Sequence, residues 1–139
     1  MKTKPDMIII AKNFAQMAHI GQFRRDGKTP YFYHVDGVAR IVSPQKAEYI
    51  ATAYLHDIIE DTSYNHFDLM KIGMPKMVIN AVLILTKYEN QSYDDYLKKV
   101  KDNVITKAVK IADMTYNLND TPSQKQIEKY KKGIEFLNS

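Results

Sequence analysis

The way prolines and glycines interrupt apolar periodicity constrains this chain more than any other feature. Pro30, Pro44, Pro75 and Pro122, with Gly21, Gly27 and Gly73, separate stretches in which apolar residues recur every three to four positions. That spacing belongs to helices that bury one face, and proline and glycine are the residues that end them. Almost no run alternates apolar with polar residues, as a half-buried strand requires. The pattern predicts an all-α fold of about seven or eight helices. Asp6 is the expected cap of a helix over about 6–20 that stops near Gly21, and 21–31 reads as a loop. A second helix is expected over about 33–42, ended by Pro44, and a third over about 45–59, strongly apolar through Tyr49, Ile50, Ala53, Tyr54 and Ile58. A short helix near 66–71, capped by Asn65 or Ser63, precedes one over about 75–86 with Pro75 in its first turn. Ser92 caps about 93–101, Asn103 opens about 104–119, and Thr121 or Ser123 starts a last helix that runs to about 137.

The length of 139 residues fits a single domain, 1–139, large enough to bury about two-thirds of its unfolded surface. The absence of cysteine excludes disulfide scaffolds, thiolate zinc sites and cysteine nucleophiles. Twenty Lys and Arg against sixteen Asp and Glu give a formal charge of +4. The lysines gather near 98–101 and 125–132, on helical patterns, where they read as solvated faces or as a surface that draws phosphorylated small molecules. No recognised nucleic-acid module accompanies them. The longest apolar stretches, 7–11 and 81–85, fall far short of the ~20 residues of a membrane span. The opening MKTKPD has no apolar core with a small-residue cleavage site. A soluble, cytoplasmic protein is the expectation.

The chemistry concentrates where polar residues interrupt apolar helices. In Leu55-His56-Asp57-Ile58-Ile59-Glu60-Asp61-Thr62 a His–Asp doublet enters the third predicted helix. A buried carboxylate needs a partner or a metal. On a continuous helix, Asp57, Glu60 and Asp61 crowd the C-terminal turn, where the macrodipole disfavours anions. His56 and Glu60 then share one stripe, and Asp57 and Asp61 the next. Three acids there with no Lys or Arg nearby suggest a cation from elsewhere, although a helix end with a satisfied histidine and solvated acids reads the same way. In Val109-Lys110-Ile111-Ala112-Asp113-Met114-Thr115-Tyr116-Asn117-Leu118, Asp113 sits inside another apolar pattern with Asn117 one turn on. An i,i+3 pair with Lys110 is the plain alternative. His34 opens the second helix. Together His34, His56, Asp57 and Asp113 make a nitrogen–oxygen donor set suited to Mn²⁺, Zn²⁺ or Fe²⁺ rather than Ca²⁺.

Five motifs in order carry a family resemblance: Ala18-His19-x-Gly21-Gln22-x-Arg24-Arg25-x-Gly27, Pro30-Tyr31-x-x-His34, Leu55-His56-Asp57-x-x-Glu60-Asp61-Thr62, Leu85-Thr86-Lys87, and Val109-Lys110-x-Ala112-Asp113-x-x-x-Asn117-Leu118. The chain resembles the HD superfamily of metal-dependent phosphohydrolases, most closely the hydrolase domain of the RelA/SpoT homologues and the stand-alone small alarmone hydrolases. The resemblance implies an all-α HD helical bundle. It implies that His34, His56, Asp57 and Asp113 bind one metal, Mn²⁺ in this family or another divalent transition metal. Glu60 and Asp61 would hold and activate water or assist proton transfer. Arg24 would lie against the purine, Arg25 near phosphate or base, and Tyr116 with Asn117 would line the nucleoside pocket. The implied reaction removes the 3′-pyrophosphate of guanosine tetra- or pentaphosphate, giving GDP or GTP. No synthetase domain is expected in 1–139.

Two departures stand out. Met114 follows Asp113 where full-length enzymes carry Arg, and Asn119-Asp120 follow Leu118 where many members carry Arg first. Action on another nucleotide, or a regulatory module with a structural metal site, are the alternatives that the residues leave open.

Overall fold

The computed structural model describes residues 3–139; Met1 and Lys2, the start of the stretch read for a secretory signal, lie outside it. The described residues form nine helical segments and no strand: α1 Lys4–Ala18, α2 Phe32–Ile41, α3 Ala47–Leu55, α4 Ile58–Asp61, α5 His66–Lys71, α6 Lys76–Leu85, α7 Tyr93–Lys101, α8 Val104–Leu118 and α9 Gln124–Asn138. Among the described residues no helix is long and apolar enough to cross a membrane. The all-α expectation holds, and the ninth segment arises because the third predicted helix is split.

That split corrects the reading of 45–59 as continuous. α3 ends at Leu55, His56 and Asp57 form a turn, and α4 is a single helical turn. The cause is a side chain competing with the ladder: His56 Nδ1 lies 2.6 Å from the Ala53 carbonyl and takes an acceptor at the end of α3. Asp57 becomes the residue before α4, and Glu60 and Asp61 are the last two of its four residues. The macrodipole argument from one long helix, and its stripes, therefore do not apply.

Smaller corrections concern caps. Thr3, not Asp6, caps α1; Asp6 is the reciprocal third residue of a capping box. Pro75 precedes α6 as its cap instead of lying within the first turn. Asn65, Ser92, Asn103 and Ser123 cap α5, α7, α8 and α9 with their side chains, as their residue types favour.

α3 is the central rod. Ala47, Ala51, Thr52, Ala53, Tyr54 and Leu55 are all buried, so it presents apolar surface on every side, with α1, α2, α6 and α8 packed around it. α1 buries only Ala11 and Ala15, small side chains that allow close approach to its neighbours. Leu55, Ile58, Leu69, Val35, Val38, Val78, Val82, Val100 and Leu137 complete a continuous core.

The 21–31 loop is a closed, braced turn. Arg24 N donates to Thr29 O at 2.7 Å and Tyr31 N to Gln22 O at 2.8 Å, beside an isolated antiparallel bridge from Phe23 to Pro30. Asp26 accepts from the Lys28 and Thr29 amides, both at 2.9 Å, and from the Thr29 hydroxyl at 2.6 Å. Those hydrogen bonds hold the Asp26 carboxyl down to about 2. Gly27 takes φ +71° at the tip, a conformation that a side chain would strain.

Candidate functional site

Three parts of the chain bring imidazoles and carboxylates together. The first turn of α2 supplies His34, the turn after α3 supplies His56 and Asp57, and the middle of α8 supplies Asp113. His34 Nε2 lies 2.8 Å from Asp113 Oδ1 and 3.9 Å from Asp57 Oδ2. His56 Nε2 lies 3.1 Å from Asp57 Oδ2 and 3.7 Å from Asp113 Oδ1. The ligating atoms of His34, His56 and Asp113 all fall within 4.8 Å of one another. His34, His56 and Asp113 are nearly inaccessible.

The electrostatics are those of a centre short of one cation. Burial pushes both carboxyls up, yet Asp57 is held below the usual range by His56, and Asp113 well below it by Lys110 and the two histidines. Burial pulls the His56 imidazole down, but Asp57 and Asp113 outweigh it and raise the ring well above its ordinary value. A proton on His56 thus compensates the buried acids. His56 Nε2 is buried without a hydrogen-bond partner while its Nδ1 is committed to Ala53 O. An orphaned ring nitrogen aimed between two carboxylates, beside a second imidazole, fits a divalent transition metal, which binds by displacing that proton.

Outer groups fix the carboxylates. The Tyr31 hydroxyl donates to Asp57 Oδ2 at 2.6 Å. Lys110 Nζ donates to Asp113 Oδ2 at 3.1 Å, leaving Oδ1 toward the histidines. The i,i+3 pair and the inward-facing aspartate, set as alternatives in the sequence, coexist on one side chain. Tyr116 meets the His34 ring edge-on at 5.2 Å. It can do so because Gly37 lacks a side chain: a Cβ there would lie 2.2 Å from Tyr116 Cε2. His19, Gln22 and Tyr31 were only motif letters in the sequence. Here His19 Nδ1 pairs with Gln22 Oε1 at 2.8 Å, Gln22 Nε2 donates to Asp61 O at 2.7 Å, and the His19 ring packs on Tyr31 at 5.1 Å. Tyr31, three residues before His34 at the start of the same helix, is the one the pattern could have signalled.

Glu60 and Asp61 lie at the exposed rim. Glu60 Oε1 accepts from the Lys87 amide at 2.8 Å, which ties the Leu85-Thr86-Lys87 motif to the site. Burial, with the charges of Asp57 and Glu60, pushes the Asp61 carboxyl up to about 6.

The remaining expected residues meet on one side. Arg24 donates to Asn117 Oδ1 at 3.0 Å and to Asp120 Oδ2 at 3.1 and 2.5 Å, with its guanidinium carbon 5.8 Å from the centre of the Tyr31 ring. Arg25 donates to Gln126 Oε1 and to Asp120 O. Arg24, Arg25, Tyr116 and Asp120 line a cavity of about 70 Å³. A larger cavity of about 530 Å³ lies between α7 and α9, lined by Tyr93, Lys98, Lys129 and Phe136, and shares no lining residue with this site.

No protein-family model matches the chain. It is 32% identical to guanosine-3′,5′-bis(diphosphate) 3′-pyrophosphohydrolase MESH1 of Xenopus tropicalis, across 94% of this chain and 82% of that protein. It is 30% identical to the bifunctional (p)ppGpp synthase/hydrolase SpoT of Escherichia coli K12 over 75% of this chain, but spans only 16% of SpoT. The structure of a metazoan SpoT ortholog superposes with a TM-score of 0.76 at 24% identity, covering 94% of this chain and 84% of that one, and shares the fold. The chain belongs to the HD-type alarmone hydrolase family of MESH1 and SpoT.

Proposed function

We propose that the chain is a manganese-dependent guanosine-3′,5′-bis(diphosphate) 3′-pyrophosphohydrolase, carried on one domain spanning 1–139. One observation carries the reading. The donor atoms of His34, His56 and Asp113, drawn from distant parts of the chain, lie within 4.8 Å of one another, Asp57 Oδ2 stands 3.1 Å from His56 Nε2, and that ring nitrogen makes no hydrogen bond. The likeness to MESH1 over most of both chains supplies the substrate.

These four side chains would hold the metal; the mixed nitrogen–oxygen set suits Mn²⁺, Zn²⁺ or Fe²⁺ alike, and the choice of Mn²⁺ rests on the family resemblance. When bound, it supplies Lewis acidity toward a phosphoryl oxygen and a lowered pKa for water. Asp61, with its carboxyl near 6, is matched to accept the proton of the attacking water at neutral pH. Glu60, fixed by the Lys87 amide, holds that water in line. The water oxygen bonds to phosphorus as the bond from phosphorus to the ribose 3′-oxygen breaks. The 3′-oxygen takes up a proton, leaving GDP and pyrophosphate, or GTP and pyrophosphate from the pentaphosphate. Arg24, Tyr116 and Asn117 receive the guanosine, with Arg25 beside them.

The test is anion-exchange separation of products after incubating purified protein and Mn²⁺ with ppGpp, beside a panel of other nucleotides. GDP and pyrophosphate are expected in equal amounts, with turnover stopped by EDTA. Asp61→Asn should lower kcat by about 10²–10⁴-fold. Turnover of another nucleotide with ppGpp left intact would overturn the substrate.

A further inference from the structure

The guanidinium of Arg24 already has an anion. Asp120 Oδ2 accepts from both Nε and Nη2, at 3.1 and 2.5 Å, which is the edge a phosphate oxygen would take. The pair is not a loose surface contact on the arginine side: the Arg24 side chain is 11% exposed, against 41% for Asp120. Its flat face lies over Tyr31, and Asn117 Oδ1 accepts from Nη2 at 3.0 Å.

Asp120 does not reach this position by relaxed backbone alone. It ends the turn after α8, its amide donating to Asn117 O at 3.2 Å, and the next residue, Thr121, sits at φ +45°. A β-branched residue in the left-handed region is held there only by surrounding contacts. The residue just before it is fixed by the Arg24–Asp120 pair and by Arg25 Nη2 donating to Asp120 O at 3.3 Å. The cavity that these groups enclose is about 70 Å³, too small by itself for a whole nucleotide against the roughly 300–1,000 Å³ of small-molecule sites.

We propose that Asp120 is a specificity-determining residue: an internal carboxylate that occupies the hydrogen-bonding edge of Arg24 and keeps ligand phosphate off it. Arg24 is thereby left with its planar face for a base, and the polyphosphate of the ligand is directed toward the metal centre and not into this end of the pocket. This refines the nucleotide reading above and rests on it for the ligand's orientation; the masking of Arg24 is tested without any nucleotide.

The probe is inorganic pyrophosphate, titrated calorimetrically into metal-free protein in EDTA at low salt. Asp120→Asn keeps the shape of the side chain and removes its charge, and is expected to bind pyrophosphate about three- to tenfold more tightly. Asp120→Ser should do the same, so a folding defect in one variant does not decide the matter. The gain should vanish in Arg24→Gln/Asp120→Asn. Unchanged or weaker binding in both single variants overturns the proposal, as does a gain that survives the loss of Arg24. A pyrophosphate gain in a protein that never hydrolyses ppGpp would remove the substrate assignment and leave the masking of Arg24 standing. Hydrolysis of ppGpp without the gain would do the reverse.

Discussion

Lys110 offers the sharpest quantitative test of the metal centre, because its charge and the cation's are substitutes for one another. The ammonium lies 3.1 Å from Asp113 Oδ2, with side-chain exposures of 18% and 10%. Burial pulls the lysine down, but Asp113 outweighs it and keeps the group charged. Replacing one partner of such a pair leaves the other buried and uncompensated, at about 3–5 kcal/mol. Asp113 retains His34 at 2.8 Å, and methionine at 110 would keep packing over Tyr96, so Lys110→Met should fall near 2–3 kcal/mol. At roughly 3 °C per kcal/mol for a chain of this size, that lowers Tm in EDTA by about 6–9 °C. A divalent cation restores the missing positive charge, and removing a neighbouring positive charge strengthens its binding by at least about tenfold. Saturating Mn²⁺ should therefore close half or more of the gap, through the linkage of binding to stability. The assay is thermal unfolding by circular dichroism with and without Mn²⁺, with the affinity measured by calorimetry. An equal gap in EDTA and in Mn²⁺ would refute the reasoning, because it would make Lys110 a packing residue with no electrostatic link to the centre.

Other substitutions separate the remaining contributions. Gly37→Ala improves helix propensity by about 0.5–1 kcal/mol, yet its Cβ would meet the Tyr116 ring at 2.2 Å, an overpacking cost of about 1–3 kcal/mol. Urea melts should show net destabilisation, and a stabilised variant would mean that Tyr116 is not held against α2. Tyr31→Phe removes the 2.6 Å hydrogen bond to Asp57 and should weaken Mn²⁺ binding by about tenfold in calorimetry; an unchanged Kd would deny Tyr31 its positioning role. Asp61, raised from an ordinary 3.8 to about 6, favours the fold below pH 3.8 and loses that contribution as pH rises through about 6. Asp61→Asn should therefore raise metal-free stability more at pH 8 than at pH 4, and a pH-independent difference would contradict the shift.

Much of this could be read from the chain because its polar residues are informative in proportion to how poorly they suit their surroundings. A His–Asp doublet and a lone aspartate inside apolar helical patterns have few inexpensive explanations, and the donor atoms of His34, His56 and Asp113 lie within 4.8 Å of one another, with Asp57 Oδ2 3.1 Å from His56 Nε2. The caps at Ser92 and Asn103 were legible because side-chain capping is local chemistry. The break at His56–Asp57 was not, since periodicity records which face is apolar and not whether a ring nitrogen will compete for Ala53 O. Nor was the Arg24–Asp120 pair, whose partners are 96 residues apart.

Met114, where the resemblance to the full-length enzymes leads to arginine, shows how a departure from a motif changes meaning once its neighbours are known. Met114 is 1% exposed, and a Cβ on Gly133 of α9 would lie 2.7 Å from its Cε. The methionine and the glycine are therefore complementary: the helix-weakening glycine leaves room for the thioether, and α8 and α9 close over it. An arginine at this position would bring a charge to a buried place against Gly133. Burying a charge there is costly unless it is paired. Met114 thus belongs to the packing of α9, the helix that carries Gln126 to Arg25, and not to the donor set one residue before it.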